Sequence, residues 1–152
     1  MMSKLYKAVK LVESNDNALA VRFENAFRGR ISDKDKAVLR AKASLYAFNE
    51  SIKAYLSFSI GRCQFLVYNL YFIDGLYKFL TMHKLMPVTI PFVVPDEIEF
   101  ELFKIFISER MKALYRKLEA NRELSEEELK EFAKRWNGSE AYYRLLIKHL
   151  RF

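Results

Sequence analysis

A chain of 152 residues with a formal net charge of +7 has room for one domain that buries about two-thirds of its extended-chain surface. A hydrophobic share of 51% excludes a disordered polyelectrolyte, and only four Gly and three Pro argue against a β-sandwich, which needs frequent turns. The single cysteine, Cys63, excludes an intrachain disulfide and a cysteine-based zinc site.

Ser3 to Glu13 places Leu5, Val9 and Val12 on one stripe with Lys4, Lys7 and Lys10 beside it, which predicts a first helix. No apolar run follows those lysines, so no secretory signal is expected. Asp16 to Arg28 repeats apolar residues at Leu19, Phe23 and Phe27, a second helical pattern with Gly29 as its left-handed stop. Ser32 with Asp35 three residues on reads as the cap of a third helix. Within it Val38, Ala41, Leu45, Phe48, Ile52 and Tyr55 alternate spacings of three and four, a seam made for neighbouring helices.

This third helix is expected to run from Ser32 to Ile60 and to meet a fourth, Arg62 to Leu85, at Gly61. In the fourth, Leu66, Leu70, Ile73, Tyr77 and Leu80 form one stripe, while Phe65, Tyr68, Phe72 and Phe79 cover much of the rest. A helix apolar nearly all round is central in its domain or covered by another subunit. Its longest uncharged run, Cys63 to Ile73, is too short for the roughly 20 residues of a membrane span, so no membrane partner is expected. Cys63, set in that apolar run, reads as a core thiol in a reducing compartment, and the chain as cytoplasmic.

Pro87, Pro91 and Pro95 punctuate residues 86–95, where each removes a backbone donor and disfavours helix before it. With Val88, Ile90, Phe92, Val93 and Val94 the segment reads as an extended crossover packed on the bundle, or as a short edge strand. Asp96 or Glu97 then opens a second helical half. Glu97, Glu99 and Glu101 alternate with Ile98, Phe100 and Leu102 as in a strand, but Phe106, Met111, Leu114 and Leu118 continue the pattern as a helix. Ser125 with Glu128 forms a capping box, and Leu124 with Leu129 the matching staple. Asn137 and Gly138 end that helix, and Ser139 starts a last one whose Tyr143, Leu146, Ile147 and Leu150 face inward. The expectation is an all-α fold, a single domain over residues 1–152. It is a helical bundle of about six helices with one Pro-rich extended segment: basic N-terminal helices in 1–85, the crossover in 86–95, and C-terminal helices in 96–152.

Charge is uneven along the chain. Residues 1–62 hold twelve Lys and Arg against six acids, residues 96–131 seven against eleven, and residues 132–152 five against one. A basic surface beside an acidic one suits a polyanion groove, or copies that stack basic side to acidic side. The candidate phosphate-binding residues fall in two groups. Arg22, Arg28, Arg30, Lys34, Lys36, Arg40 and Lys42 surround the second-to-third helix junction. Lys130, Lys134, Arg135, Arg144, Lys148 and Arg151 lie in the last two helices, among Trp136, Tyr142 and Tyr143. Lys and Arg neutralise phosphates without reading bases, and exposed aromatics stack on single-stranded bases, so RNA or single-stranded DNA is the expected ligand. The last two helices also fit a helix-turn-helix, although the second offers few base-reading Asn or Gln.

Catalytic signals are sparse. No nucleophile elbow and no phosphate-cradling glycine loop is present, so no enzyme activity and no cofactor are expected. His83 at the end of the aromatic helix has no second ligand nearby, and no metal is expected. Asp74 inside an apolar stretch is expected to pair with a cation such as Arg40 or Arg62. Arg144 to His149 has an Arg-x4-His spacing that resembles the ribonuclease motif of HEPN domains, although Leu145 stands where that family usually has a polar residue. The resemblance implies an alternative, a ribonuclease toxin in which His149 moves a proton while Arg144 holds the phosphate.

The helical spine Ser32 to Leu85 with the basic runs Arg22 to Lys42 and Lys130 to Arg151 resembles, at the level of type, the small subunits of CRISPR interference complexes. That resemblance implies a non-enzymatic subunit that contacts nucleic-acid backbone and other protein subunits, copies of itself included. A third reading is a structural oligomer without nucleic-acid contact, which would tolerate charge reversal at Arg28, Lys34 and Arg40.

Overall fold

The computed structural model describes residues 1–28, 30–43 and 49–150. Among them it forms α1 (Met2–Ser14), β1 (Val21–Phe23), α2 (Asn25–Arg28), α3 (Asp33–Ala43), α4 (Asn49–Leu56), β2 (Phe58–Ile60) and β3 (Phe65–Leu66). There follow α5 (Val67–Phe72), α6 (Asp74–Met82), α7 (Asp96–Arg110), α8 (Lys112–Glu119), α9 (Glu126–Asn137) and α10 (Glu140–Leu150). The mostly helical character matches the sequence. The bundle of about six helices is not clearly formed: the helices are shorter and more numerous, and a three-stranded antiparallel sheet of order β1-β2-β3 interrupts them.

The expected first helix forms as α1, with Leu5 and Val9 fully buried and Lys4 and Lys7 exposed. The expected second helix does not form. Asn15 and Asp16 both turn left-handed, at φ 54° and 60°, Asn17 N donates to Ser14 Oγ at 3.1 Å, and Leu19 N donates to Asn17 Oδ1 at 3.0 Å. Asn and Asp side chains that bond nearby backbone compete with helix in this way. The chain emerges as the strand β1, and only the single turn of α2 remains helical; Gly29 lies outside the described residues.

Ser32 and Asp35 make the expected reciprocal cap at 3.1 Å each way. The seam that follows is only partly as read: Ile52 is fully buried, Val38 and Tyr55 are half-buried and Ala41 is exposed, Leu45 and Phe48 lie outside the described residues, and Leu39, not part of the expected seam, is fully buried. The helix does not reach Ile60. Phe58 to Ile60 pair instead with β1 (Val21↔Ile60, Arg22↔Ser59, Phe23↔Phe58) and with β3 (Ser59↔Leu66, Ile60↔Phe65). Gly61 is therefore the first residue of a hairpin turn, at φ +79°, with Gln64 N donating to its carbonyl at 3.2 Å.

The turn at residues 61–64 is seated on a carboxylate. Glu99, with no exposed surface, accepts from Arg62 N at 3.2 Å, Cys63 N at 3.3 Å and Arg62 Nη1 at 3.0 Å. A side chain at position 61 would meet the Glu99 carboxylate at 3.0–3.1 Å, and the left-handed φ adds a second reason for glycine there. Burial of Glu99 also explains the alternating acids at 97–101: they ride on α7, and Glu99 belongs to its buried face with Leu102 and Phe103.

The expected helix from Arg62 to Leu85 starts only at Val67 and breaks at Ile73, whose ψ of 112° is extended. Residues 86–95 form no strand. They are the extended crossover, with cis bonds at Met86–Pro87 and Ile90–Pro91 and with Val88, Phe92 and Val94 buried. Tyr55 Oη donates to Val88 O at 2.6 Å and Val88 N donates to Tyr71 Oη at 3.2 Å, so two tyrosines hold the crossover on the core. The helix expected through Leu118 is interrupted at Met111, φ −140°, which separates α7 from α8. The core is closed by α1 against α7 and α10, and by α10 against α9.

Candidate nucleic-acid interface

The last two helices form as the sequence requires. Ser125 Oγ accepts from Glu128 N at 3.2 Å, and Glu128 Oε2 accepts from Ser125 N at 2.9 Å; Lys117 also pairs with Glu128. Gly138 at φ +81° ends α9 and donates to Lys134 O at 2.7 Å. Phe132 and Ala133 of α9 and Tyr142 and Leu146 of α10 turn inward. Tyr142 thus takes the fully buried place expected for Tyr143, which is half-buried like Ile147 and Leu150.

That inward packing sets the outward face. Glu126, Lys130 and Lys134 succeed one another at i, i+4 on α9, as do Glu140, Arg144 and Lys148 on α10. Between these rows runs a cleft of about 560 Å³ lined by Glu126, Lys130, Glu140, Ala141, Tyr143 and Arg144. Lys130 Nζ is 2.8 Å from Glu126 and 5.5 Å from the Tyr143 ring centre. The hydrogen bond and charge of Glu126 raise the Lys130 ammonium above its ordinary value, so it stays charged. The lining itself balances Lys130 and Arg144 against Glu126 and Glu140, with the Tyr143 ring in its wall, and the exposed Lys134 and Lys148 extend the two rows by one turn each.

The other expected residues divide by what they touch. Arg135 bonds Glu131 at 3.0 Å and Arg110 O at 3.3 Å, and Arg151 lies outside the described residues. Trp136 is half-buried among Phe65, Phe103, Phe106 and Phe132, with its Nε1 donating to Glu13 at 3.1 Å, so neither it nor Tyr142 is a free stacking platform. In the first basic group, Arg22 bonds Glu24 at 2.8 Å and Glu13 at 3.5 Å. Lys36 is buried and bonds Asp33 at 2.7 Å. Lys42 donates to Tyr71 O at 2.7 Å and lies 4.5 Å over the Tyr77 ring. Arg28 and Arg40 are each engaged in contacts of their own. Arg30 and Lys34 are exposed. The first group is thus largely given to holding the fold together.

Arg144 and His149 are both exposed, and five residues of α10 set them about 140° apart around the helix. No hydrogen bond joins them within the chain. Asp74 is exposed at the first turn of α6 and pairs with neither Arg40 nor Arg62. His83 Nδ1 is 2.9 Å from Phe79 O, an ordinary helix-end contact. Among the described residues, no group of three or more His, Cys, Asp or Glu is placed to hold a metal ion, and no helix is long and apolar enough to cross a membrane.

Sequence reasoning missed a charged centre beneath the β2–β3 turn. Lys10, 7% exposed, bonds Asp96 at 2.9 Å and Asp16 at 3.2 Å; Arg62 Nε lies 3.5 Å from Asp16 and 3.7 Å from Asp96, and Tyr6 Oη donates to Asp96 at 2.8 Å. Burial lowers the Lys10 ammonium, but the hydrogen bonds it donates to Asp96 and Asp16, with their charges, outweigh it and leave the group above its ordinary value. Burial also pushes the Cys63 thiol well up, with the charge of Glu99 adding to it, so the thiol is inert and belongs to the core. Every polar group in this centre faces a partner, which makes it a structural joint and not a ligand site. Comparison of the chain with models of protein families, with curated proteins and with solved structures gives no match in any of the three.

Proposed function

We propose that this chain is a non-enzymatic subunit that holds the sugar–phosphate backbone of RNA or single-stranded DNA inside a larger nucleoprotein assembly, the role played by the small subunits of CRISPR interference complexes. The observation that carries the reading is the outer face of the α9–α10 hairpin, where Lys130 and Arg144 line an open cleft with Tyr143 in its wall and the exposed Lys134 and Lys148 lie one turn further along their helices. Phosphates are met by the four cations, and Tyr143 offers a ring edge to a splayed base. Glu126 and Glu140 weaken the field, so affinity for an isolated strand is modest and the rest of the assembly supplies neighbouring contacts.

The test is equilibrium binding of the purified chain to labelled single-stranded RNA, single-stranded DNA and duplex across a salt series, with oligonucleotide integrity followed on a gel. Four phosphate contacts predict a log–log salt slope of about −3 for single strands. Loss of binding in a Lys130, Lys134, Arg144, Lys148 quadruple alanine variant that still folds would support the reading. Undiminished binding would sink it. Cleaved RNA, abolished by His149→Ala, would replace it with the ribonuclease.

A further inference from the structure

The strand β1 is an open edge. All three of its residues are exposed, Val21 and Phe23 at 40% each, and Leu19 just before it at 60%. Gly61 N donates to Ala20 O at 3.1 Å and Glu24 N to Ser57 O at 2.8 Å. With the pairing Arg22↔Ser59, these bonds fix the alternation: Ala20, Arg22 and Glu24 turn their backbone groups toward β2, while Val21 and Phe23 turn theirs away. No hydrogen bond among the described residues engages the N–H or C=O of Val21 or Phe23. The outward edge therefore joins unpaired amides to a row of apolar side chains, a template for another strand.

The charges beside that row say which strand. Arg22 and Glu24 lie two apart on the opposite face and bond each other at 2.8 Å. An antiparallel copy of the same strand, aligned with Phe23 opposite Phe23, brings Arg22 of each copy opposite Glu24 of the other, a self-complementary pattern. We infer that this chain self-associates through β1, two copies joining their sheets into one of six strands with the two Phe23 residues at the dyad. The inference stands apart from the phosphate-binding reading, since the α9–α10 cleft plays no part in it. The contact is small, which predicts a weak, concentration-dependent dimer.

Sedimentation equilibrium across a wide concentration series tests it. The expected result is a weight-average mass that rises toward twice that of the chain, with Phe23→Pro weakening association at least ~tenfold. Phe23→Pro removes the outward N–H that meets the other copy at the dyad and no bond to β2, and a circular-dichroism melt at low concentration that matches Phe23→Ala would show that the fold survives it. The register is checked independently by Phe23→Cys and Val21→Cys under mild oxidation, with Cys63 buried and silent. Directly opposed, hydrogen-bonded residues lie about 5.5 Å apart, within disulfide reach, so position 23 should cross-link first. A chain that stays monomeric throughout would overturn the inference and leave the edge to a strand of another protein. A dimer indifferent to Phe23→Pro, or one that cross-links faster at position 21, would overturn it too.

Discussion

Arg62 Nη1 lies 3.0 Å from Glu99 Oε1, and the same carboxylate accepts the backbone N–H groups of Arg62 and Cys63, across 37 and 36 positions of sequence. One side chain thereby fixes a hairpin turn, neutralises a guanidinium and ties the small sheet to α7. Removing it leaves two buried donors and a charge without their acceptor. Glu99→Ala should cost about 3 kcal/mol, near the lower end for a broken buried pair because Arg62 keeps its weaker contacts with Asp16 and Asp96. Glu99→Gln, which keeps an acceptor, should cost less. Urea unfolding of the three proteins measures both.

The carboxyls around this joint titrate with opposite signs. Burial pushes Asp96 up, but hydrogen bonds from Lys10 and Tyr6 and the charges of Lys10 and Arg62 more than offset it, and the group sits below its ordinary 3.8. It adds stability that is present above that value and lost as pH falls through the lower folded value. Glu99 is raised above its ordinary 4.5, since burial outweighs the bonds from Arg62 and Cys63. Its contribution is full below 4.5 and is lost as pH rises through the folded value. Asp96→Asn should therefore flatten the loss of stability in strong acid, whereas Glu99→Gln should flatten the decline on the side above pH 4.5. Unfolding free energies followed against pH separate the two limbs.

The two basic groups should part company under mutation. Lys42→Ala removes the bond to Tyr71 O and the contact with the Tyr77 ring, and should cost about 1–2 kcal/mol while nucleic-acid affinity stays as it was. Lys134→Ala and Lys148→Ala should do the reverse, leaving the melt within about 0.5 kcal/mol of wild type and reducing the magnitude of the salt slope by somewhat less than one each. Paired melting and binding curves on the same preparations give the answer.

Gly75 packs α6 against α7 at close range. A methyl group there would meet Ile105 Cγ2 at 2.9 Å and would collide with Glu109 Oε1. Glu109 can swing away, but Ile105 can do so only by disturbing the core. Gly75→Ala, despite its gain in helix propensity, should lower stability by about 1–3 kcal/mol. The double variant with Ile105→Val should recover part of that loss, as read by thermal melts.

Cys63 gives the simplest check on the core. Its thiol is fully buried and held protonated, so it should resist a thiol reagent in the native protein and react at once in denaturant. Fast native labelling would show that the turn at 61–64 opens readily.

Local signals in the sequence translated directly into structure. Ser32 with Asp35 and Ser125 with Glu128 became reciprocal caps, because each depends on residues three apart and on nothing distant. The proline segment stayed extended for the same reason. The sheet was hidden because Phe58, Ser59 and Ile60 continue a helical spacing well enough by themselves. Their strand state comes from pairing with Val21 to Phe23, nearly forty residues earlier. Gly61 beside Arg62 was the visible hint, readable only with knowledge of where Glu99 lies. At the candidate site the cationic rows of the last two helices were legible from their spacing. The burial of Lys36 and the engagement of Lys42 and Trp136 were not, since they depend on neighbours that charge counting does not include.

The position of α1 has a consequence for how the chain is made. Its apolar stripe, Leu5 and Val9, is covered by α7 and above all by α10. During synthesis α7 can cover the first helix in part, but its apolar side is fully covered only once residues 140–150 have cleared the ribosome. Closure of the domain is thus a late event, completed by the last helix to be made.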